Sequence, residues 1–477
     1  MDVMPRSAII YHNPEETAFL IDIPTSISLA QELFPNQRSS LPDSQKRPEP
    51  RRKKQIFSSV PLAEPFPSST EPKSDAARAR VLERIPRSER VFHAEIIEPL
   101  VRDGLEVIQR GVLEAGFDWC SSRQILDDVP SAETHLGKRR RAASRDIDNC
   151  PVDRPHEFDV DGLDSDSQPP LILSSSGTNA FASVDEIRDV VVKNTSSDAA
   201  DLSVRCLGDE GTSTAAAEID SQRQEYDHDH MFTMPPLSAF VLCRLPIAQS
   251  AHPRPTDPIP GIPRDRKFNL ILFDPPWNNR SVRRGRHYHT QHYSEGDDLT
   301  YYLRSVLQAH LYDPFAGNDR KAENSPAVTR SIAAIWITNA SKARKTAYDA
   351  LRGAGLSICE EWAWIKTTTS GEPVTRVDSL WRKPYEILVI GKKIGPDDTR
   401  SQRRDPVRRV IAAVPDVHSR KPNLKEVFER MFFGDCTGHS HAALEVFARN
   451  LTAGWWACGD EVLKFNAREW WTEESTS

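Results

Sequence analysis

The chain is forced to turn sharply at Pro275. A short, mostly apolar run, Phe268 to Phe273 (FNLILF), is followed at once by Asp274-Pro275-Pro276-Trp277. Such a run has the length and composition of a strand buried on both faces, as in parallel sheets. Neither proline can donate to a sheet ladder and both fix φ, so the strand ends there. The turn then holds a carboxylate and an indole at the C-terminal edge of a sheet, where open α/β sheets bind ligands. In a random loop the same four residues would be an ordinary turn; directly after a strand they form a candidate site. Asp274 can accept a hydrogen bond from an exocyclic NH2, a proline carbonyl can accept a second, and Trp277 can stack on the ring. A planar amine gripped in that way keeps its lone pair out of the ring plane, pointed toward a methyl donor.

The surrounding segment alternates strand and helix signals. Strands are expected at Ala239–Cys243, Phe268–Phe273, Ile332–Thr338, Glu360–Lys366, Glu386–Gly391, Val410–Val414 and Leu444–Ala448. Helices are expected between them, at Leu299–Leu311, Ser341–Gly353 and Asn423–Phe433. This is an α/β pattern with a mostly parallel sheet, spanning residues 231–471. No GxGxxG loop is present, so a dinucleotide-binding reading loses its main support.

The N-terminal half reads as small pieces. Residues 1–36 hold a hairpin, Ser7 to Ile23, turning at Asn13-Pro14-Glu15. Residues 37–73 are rich in Ser, Pro and charge and read as a disordered linker with a basic run, Lys46, Arg47 and Arg51 to Lys54. Residues 74–126 are helical, with Ile97, Val101, Leu105, Ile108 and Val112 on one face and a kink expected at Pro99. Residues 127–168 are again polar and disordered, with a second basic run, Lys138 to Arg141. Residues 169–230 are read as a small α/β element: a strand LIL and an amphipathic helix VDEIRDVVVK. The two basic runs fit nuclear import signals, or simply solvated loop charge.

Composition narrows the class. With 477 residues, two or three domains are affordable, and 36 prolines agree with part of the chain being disordered. A net charge of −7 means that any nucleic-acid binding rests on local patches. The seven cysteines are scattered and never form a CxxC, which argues for a reducing compartment and against a zinc site. No signal-peptide core or membrane-length run is apparent, so a soluble intracellular protein is expected.

The loop after the tetrad is the second signal. Residues 279–292 (NRSVRRGRHYHTQH) carry Arg280, Arg283, Arg284, Arg286 and Tyr288 with no acid. Arginines pair phosphates and aromatics stack bases, so this composition suits a nucleotide strand. Its histidines lack carboxylate or cysteine neighbours, and no metal is expected. Arg400, Arg403, Arg404, Arg408 and Arg409 either extend this basic surface or form a solvated insertion.

Several motifs in order give a resemblance over roughly the last half of the chain. They are FNLILFDPPWNNRSVRRGRHY, IWITN (Ile335 to Asn339), EWAWIKTTTSGEPV (Glu361 to Val374), KPYEILVIG (Lys383 to Gly391), HSRKPNL (His418 to Leu424) and LEVFARNLTAGWWACGDEVLKF (Leu444 to Phe465). In these the chain resembles the DPPW-type N6-adenine methyltransferases of the MT-A70 family, and within it the methyltransferase-like protein 4 branch. The resemblance implies a permuted Rossmann-like domain that binds S-adenosylmethionine, with Asp274, Pro275, Pro276 and Trp277 as its catalytic turn. It implies Lys421 at the methionine carboxylate, and Glu445, Arg449 and Asn450 around the ribose. Asp460 and Glu461 would stand by the cofactor's adenine, and Lys366, Glu386 and Asn278 by the target base. Related sequences usually carry Asn at Asp460, and Arg244 stands where relatives end a cofactor-contacting strand in Asp. The substrate implied is RNA, small nuclear RNA adenosine in particular. DNA methylation and a non-catalytic nucleic-acid-binding subunit stay open. Protein amide methylation goes with Asn-Pro-Pro-Tyr or -Phe instead. The protein is expected to be nuclear and monomeric, without membrane or metal, its N-terminal pieces helping to hold RNA.

Overall fold

Residues 6–33, 54–67, 71–72, 74–125, 168–205, 229–247, 257–277, 297–315, 331–380, 382–395, 405–434 and 441–472 are described by a computed structural model. Apolar runs set its centre. Leu270–Phe273 and Ile332–Ile337 are buried at every position and pair in parallel. They belong to a sheet of twelve strands. In chain order these are β1 (Ile9–His12), β2 (Ala18–Ile21), β3 (Leu171–Leu173), β4 (Val191–Asn194), β5 (Ala239–Leu242) and β6 (Leu270–Phe273). They continue with β7 (Ile332–Ile337), β8 (Leu356–Lys366), β9 (Tyr385–Lys393), β10 (Val407–Ala413), β11 (Ala443–Val446) and β12 (Trp456–Gly459). Across the sheet the order is β1-β2-β10-β8-β9-β7-β6-β11-β12-β5-β4-β3.

The five strands β7, β6, β11, β12 and β5 run parallel. Beyond β7, strand β9 is antiparallel to both β7 and β8. The N-terminal hairpin extends one edge through a parallel β2–β10 pairing, and β4 closes on β5 antiparallel at the other.

Alternation along the strands divides two apolar layers. Phe273, Ile335 and Ile387 face a cluster supplied by α2 (Glu98–Ala115), α3 (Asp297–His310) and α4 (Ser341–Gly353). Leu272, Trp336, Trp362 and Trp364 face the other, with α1 (Ile23–Ala30) and α5 (Lys425–Phe428). There Trp362 stacks on Phe428 and Phe432, centroids 5.4 and 6.0 Å away.

Three expectations are corrected. VDEIRDVVVK is not one helix: a short 3-10 turn, Val184–Ile187, precedes strand β4. Consecutive β-branched valines fit a pleated ladder, and Val192 pairs with Phe240. Pro99 falls not inside a regular helix but at the junction where a π-helical turn, Phe92–Ile97, passes into α2, in whose first turn it lies. Within the segment 37–73, residues 54–67 are placed against the domain. Ile56 is buried and bridges to Trp471, and the Ser59 N–H donates to Asp416 Oδ1 at 2.9 Å. Local composition cannot register contacts made across more than 350 positions.

Helix α2 presses on β10 at a glycine. A Cβ on Gly104 would lie 2.5 Å from Val410 Cγ2 and 2.7 Å from its Cβ, and a β-branched side chain cannot swing aside. Gly104→Ala is therefore expected to lower stability by about 1–2 kcal/mol: overpacking at about 1–3 kcal/mol outweighs the roughly 1 kcal/mol that alanine gains over glycine in a helix. Urea unfolding checks this, and the sign should reverse in a Val410→Ala background.

Candidate active site

Strand β6 delivers Asp274 to the C-terminal edge of the sheet, and the Asp274 N–H still donates to Val446 O of neighbouring β11 at 3.2 Å. The tetrad then leaves the sheet. The Trp277 N–H donates to Pro275 O at 2.9 Å, and its indole N–H to Trp336 O at 2.8 Å. The first bond closes the turn on itself and the second fixes it against β7.

Beside Asp274 opens a cleft. Asp274, Trp336, Lys421, Glu445, Phe447, Arg449, Asn450, Trp455 and Phe465 are among its walls. Two non-glycine wall residues, Ser419 (φ 68°) and Phe447 (φ 63°), adopt the left-handed conformation. Such strain persists only where surrounding structure over-determines it, and it concentrates at functional sites.

The charged groups form one chain of alternating sign. Lys366 Nζ meets Glu386 Oε1 at 2.6 Å, and Glu386 Oε2 meets Lys421 Nζ at 2.9 Å. Lys421 reaches Asp274 Oδ1 at 3.2 Å, and Asp274 Oδ2 meets Arg449 Nη1 at 3.1 Å. Arg449 Nε continues to Glu461 Oε2 at 2.9 Å, and Glu461 Oε1 to Lys464 Nζ at 2.7 Å. Beneath it lie Trp336 and Trp364, with Lys421 Nζ 5.4 and 5.9 Å from their ring centres.

Burial and pairing compete at each member. Burial alone would raise Glu386, yet Lys366 and Lys421 hold it well below the usual carboxylate range. Burial would lower Lys421, yet Asp274 and Glu386 raise it. Glu461 is lowered because Lys464 and Arg449 outweigh its burial. Glu445 differs: burial first, then the Asp274 charge, pushes it up to about 8, and Arg449 offsets only part. Its carboxyl is therefore protonated at neutral pH and can donate a hydrogen bond into the cleft.

That has a consequence for stability. The folded state keeps a proton on Glu445 that the unfolded chain releases near its ordinary value of 4.5, so stability falls as pH rises from about 4.5 to about 8. Glu445→Gln should flatten that decline. Urea unfolding at pH 5, 7 and 8.5 measures it, and an equally steep decline in the variant would overturn the assignment.

Of the sequence-predicted residues, Asp274, Lys421, Glu445, Arg449 and Asn450 line one cleft. Glu386, Lys366 and Glu461 join it through the charge chain. Asp460 and Arg244 are exposed and outside the cleft walls, each at the end of a strand edge. Asn278, Arg280, Arg283, Arg284, Arg286 and Tyr288 lie outside the described residues, as do Arg400, Arg403, Arg404 and the basic runs at 46–53 and 138–141. Arg408 and Arg409 are taken up by Glu361 and Glu360 rather than forming a free basic surface.

Sequence reasoning missed the aromatic walls Trp336, Trp455 and Phe465. Alternation in IWITN and EWAWIK was a usable signal for Trp336 and Trp364, since period two puts each on the face of Asp274. Among the described residues no group of three His, Cys, Asp or Glu is placed to hold a metal, and no helix is long and apolar enough to cross a membrane.

Several known proteins are similar to this chain. The chain is 42% identical over 214 residues to the N6-methyladenosine RNA methyltransferase MTA1 of Cryphonectria parasitica, covering 43% of this chain and 55% of that one. It is 28% identical over 284 residues to the N(6)-adenine-specific methyltransferase METTL4 of Homo sapiens, covering 58% and 51%. It is 30% identical over 189 residues to the DNA N6-methyl methyltransferase of Caenorhabditis elegans, covering 39% and 43%. The chain thus spans about half the length of the curated relatives it matches. The MT-A70 family model matches residues 324–461, which hold Lys366, Glu386, Lys421, Glu445, Arg449 and Glu461. Over residues 324–461 this chain is similar to the MT-A70 family.

Proposed function

We propose that the chain transfers a methyl group from S-adenosylmethionine to the N6 amine of an adenine in nucleic acid, with RNA the favoured substrate. The observation that carries this reading is Asp274, held at the cleft mouth between Lys421 and Arg449 at 3.2 and 3.1 Å. Both cations hold its carboxylate in place. Each oxygen retains a further lone pair, so Asp274 can still accept from an amine. The Pro275 carbonyl likewise has a second lone pair beside the Trp277 N–H.

The donor set fits the cofactor. The cleft wall combines four aromatic side chains, Trp336, Phe447, Trp455 and Phe465, with charged and polar groups, the mix that suits a nucleoside-bearing ligand. Lys421 is placed for a carboxylate, Glu445 and Asn450 for ribose hydroxyls, and Trp455 and Phe465 for apolar surface. When bound, S-adenosylmethionine supplies a methyl group on a sulfonium. The chain's own work is to hold the amine in line and keep water out, the main levers for a displacement of this kind. A permuted Rossmann-like order is supported by β6 preceding β11, its parallel neighbour, in sequence. The segment 231–471 then supplies the chemistry, and β1 to β4 complete its sheet edges. Small nuclear RNA as substrate and the nucleus as location follow from the resemblance and the basic runs.

Transfer of labelled methyl groups to matched RNA and DNA oligonucleotides, followed by nucleoside analysis, tests the reading. N6-methyladenosine in RNA is the expected product. The corresponding deoxynucleoside alone would move the substrate to DNA. Saturable cofactor binding with no label in either polymer would leave a non-catalytic binding subunit.

A further inference from the structure

The connection between Lys366 and Glu386 joins the two ends of one ion pair, the first link of the charge chain that leads to Asp274. It is held along its length by residues far upstream. The Trp119 indole N–H donates to Thr367 Oγ1 at 2.8 Å, one residue after Lys366. Gln109 of α2 donates to Gly371 O at 3.0 Å, and that turn (φ +82°) sits so close to Trp119 that a Cβ would lie 3.0 Å from its ring. Glu71 accepts from the Leu380 N–H at 3.1 Å. Glu98, at the start of α2, meets Lys383 Nζ at 2.7 Å, three residues before Glu386, with both side chains mostly buried. Helix α2 is itself seated on β10 at Gly104.

We infer that helix α2 and the segments flanking it are an intrachain clamp that fixes the loop 367–384 as a strut between Lys366 and Glu386, and that Glu98 is a positioning residue for the nucleic-acid side of the cleft. A loop of this length has many backbone states, and its native one is chosen by contacts from outside it. Loss of the Glu98 anchor frees Lys383 and the connection that enters β9 at Tyr385, where the ladder to β8 ends. The Lys366–Glu386 pair at that end then loses support, and misplacement near 1 Å already lowers rates substantially. The inference rests on the methyl-transfer reading for its kinetic part only.

In the full chain, Glu98→Ala is expected to lower kcat/KM for RNA about tenfold while leaving the S-adenosylmethionine Kd unchanged. The charge-swapped pair Glu98→Lys with Lys383→Glu should recover most of that loss. Hydrogen exchange should show faster exchange at the Thr369 and Val374 amides in Glu98→Ala, with the β6 and β11 amides unchanged. Unchanged exchange in the loop, or a cofactor affinity that falls in step with transfer, overturns the clamp. If the parent protein transfers no methyl group, the functional reading fails, and the exchange experiment still decides the clamp.

Discussion

Asp274→Ala is expected to reduce methyl transfer by about 10³-fold or more, the scale of losing a preorganised group aimed at the reacting centre. The expectation follows from how few groups near the cleft mouth can accept from an amine. Glu386 and Glu461 are not among the cleft walls, and Glu445 holds its proton at neutral pH. Among the described wall residues, Asp274 is the carboxylate that a rigid turn presents. The fold should survive, because Lys421 keeps Glu386 and Arg449 keeps Glu461 as partners. Cofactor affinity should change little for the same reason. Asp274→Asn should fare no better: either amide rotamer turns its NH2 toward Lys421 or Arg449. Single-turnover transfer with equilibrium dialysis of the cofactor makes the separation. Undiminished methylation by either variant would falsify the assignment of Asp274.

Where the chain dictates its own geometry locally, the sequence was readable. Leu270–Phe273 had to be a strand because two prolines forbid its continuation, and Ser341–Gly353 had to be a helix because Ala343, Ala347, Ala350 and Leu351 recur on one face. What escaped depends on distance along the chain. Glu386 and Lys421 are 35 positions apart and Asp274 and Arg449 are 175 apart, so no window contains the charge chain. The family resemblance named these residues one by one but not their alternation. Val191–Asn194 escaped for another reason: DEIRDVVVK satisfies a helical stripe as well as a strand, and only the open edge of β5 decides it. Residues 54–67 read as linker because the segment 37–73 that contains them is rich in Ser, Pro and charge, while Ile56 finds its burial against Trp471.

Lys421→Met is expected to destabilise the protein by about 3 kcal/mol at pH 7, because two mostly buried carboxylates lose the cation they share. The lower end of the range for broken buried pairs applies, since Glu386 keeps Lys366 and Asp274 keeps Arg449. The pH dependence identifies the cause. In the parent, the folded-state pKa of Glu386 lies below its ordinary 4.5, so its contribution is present above about pH 4.5 and is lost as pH falls toward the folded value. Lys421, raised above 10.5, contributes below that value and loses its contribution only as pH rises past it. The penalty in Lys421→Met should therefore be largest between those limits and should shrink in acid, as the two carboxylates protonate. A loss from packing alone would be the same at pH 7 and pH 4. Lys421→Arg restores a cation but not its shape: the planar fork cannot point one compact charge at both carboxylates. That variant should regain much of the stability at pH 7 while transferring methyl groups poorly. Stability with transfer both restored would mean that Lys421 supplies charge alone and does not aim Asp274.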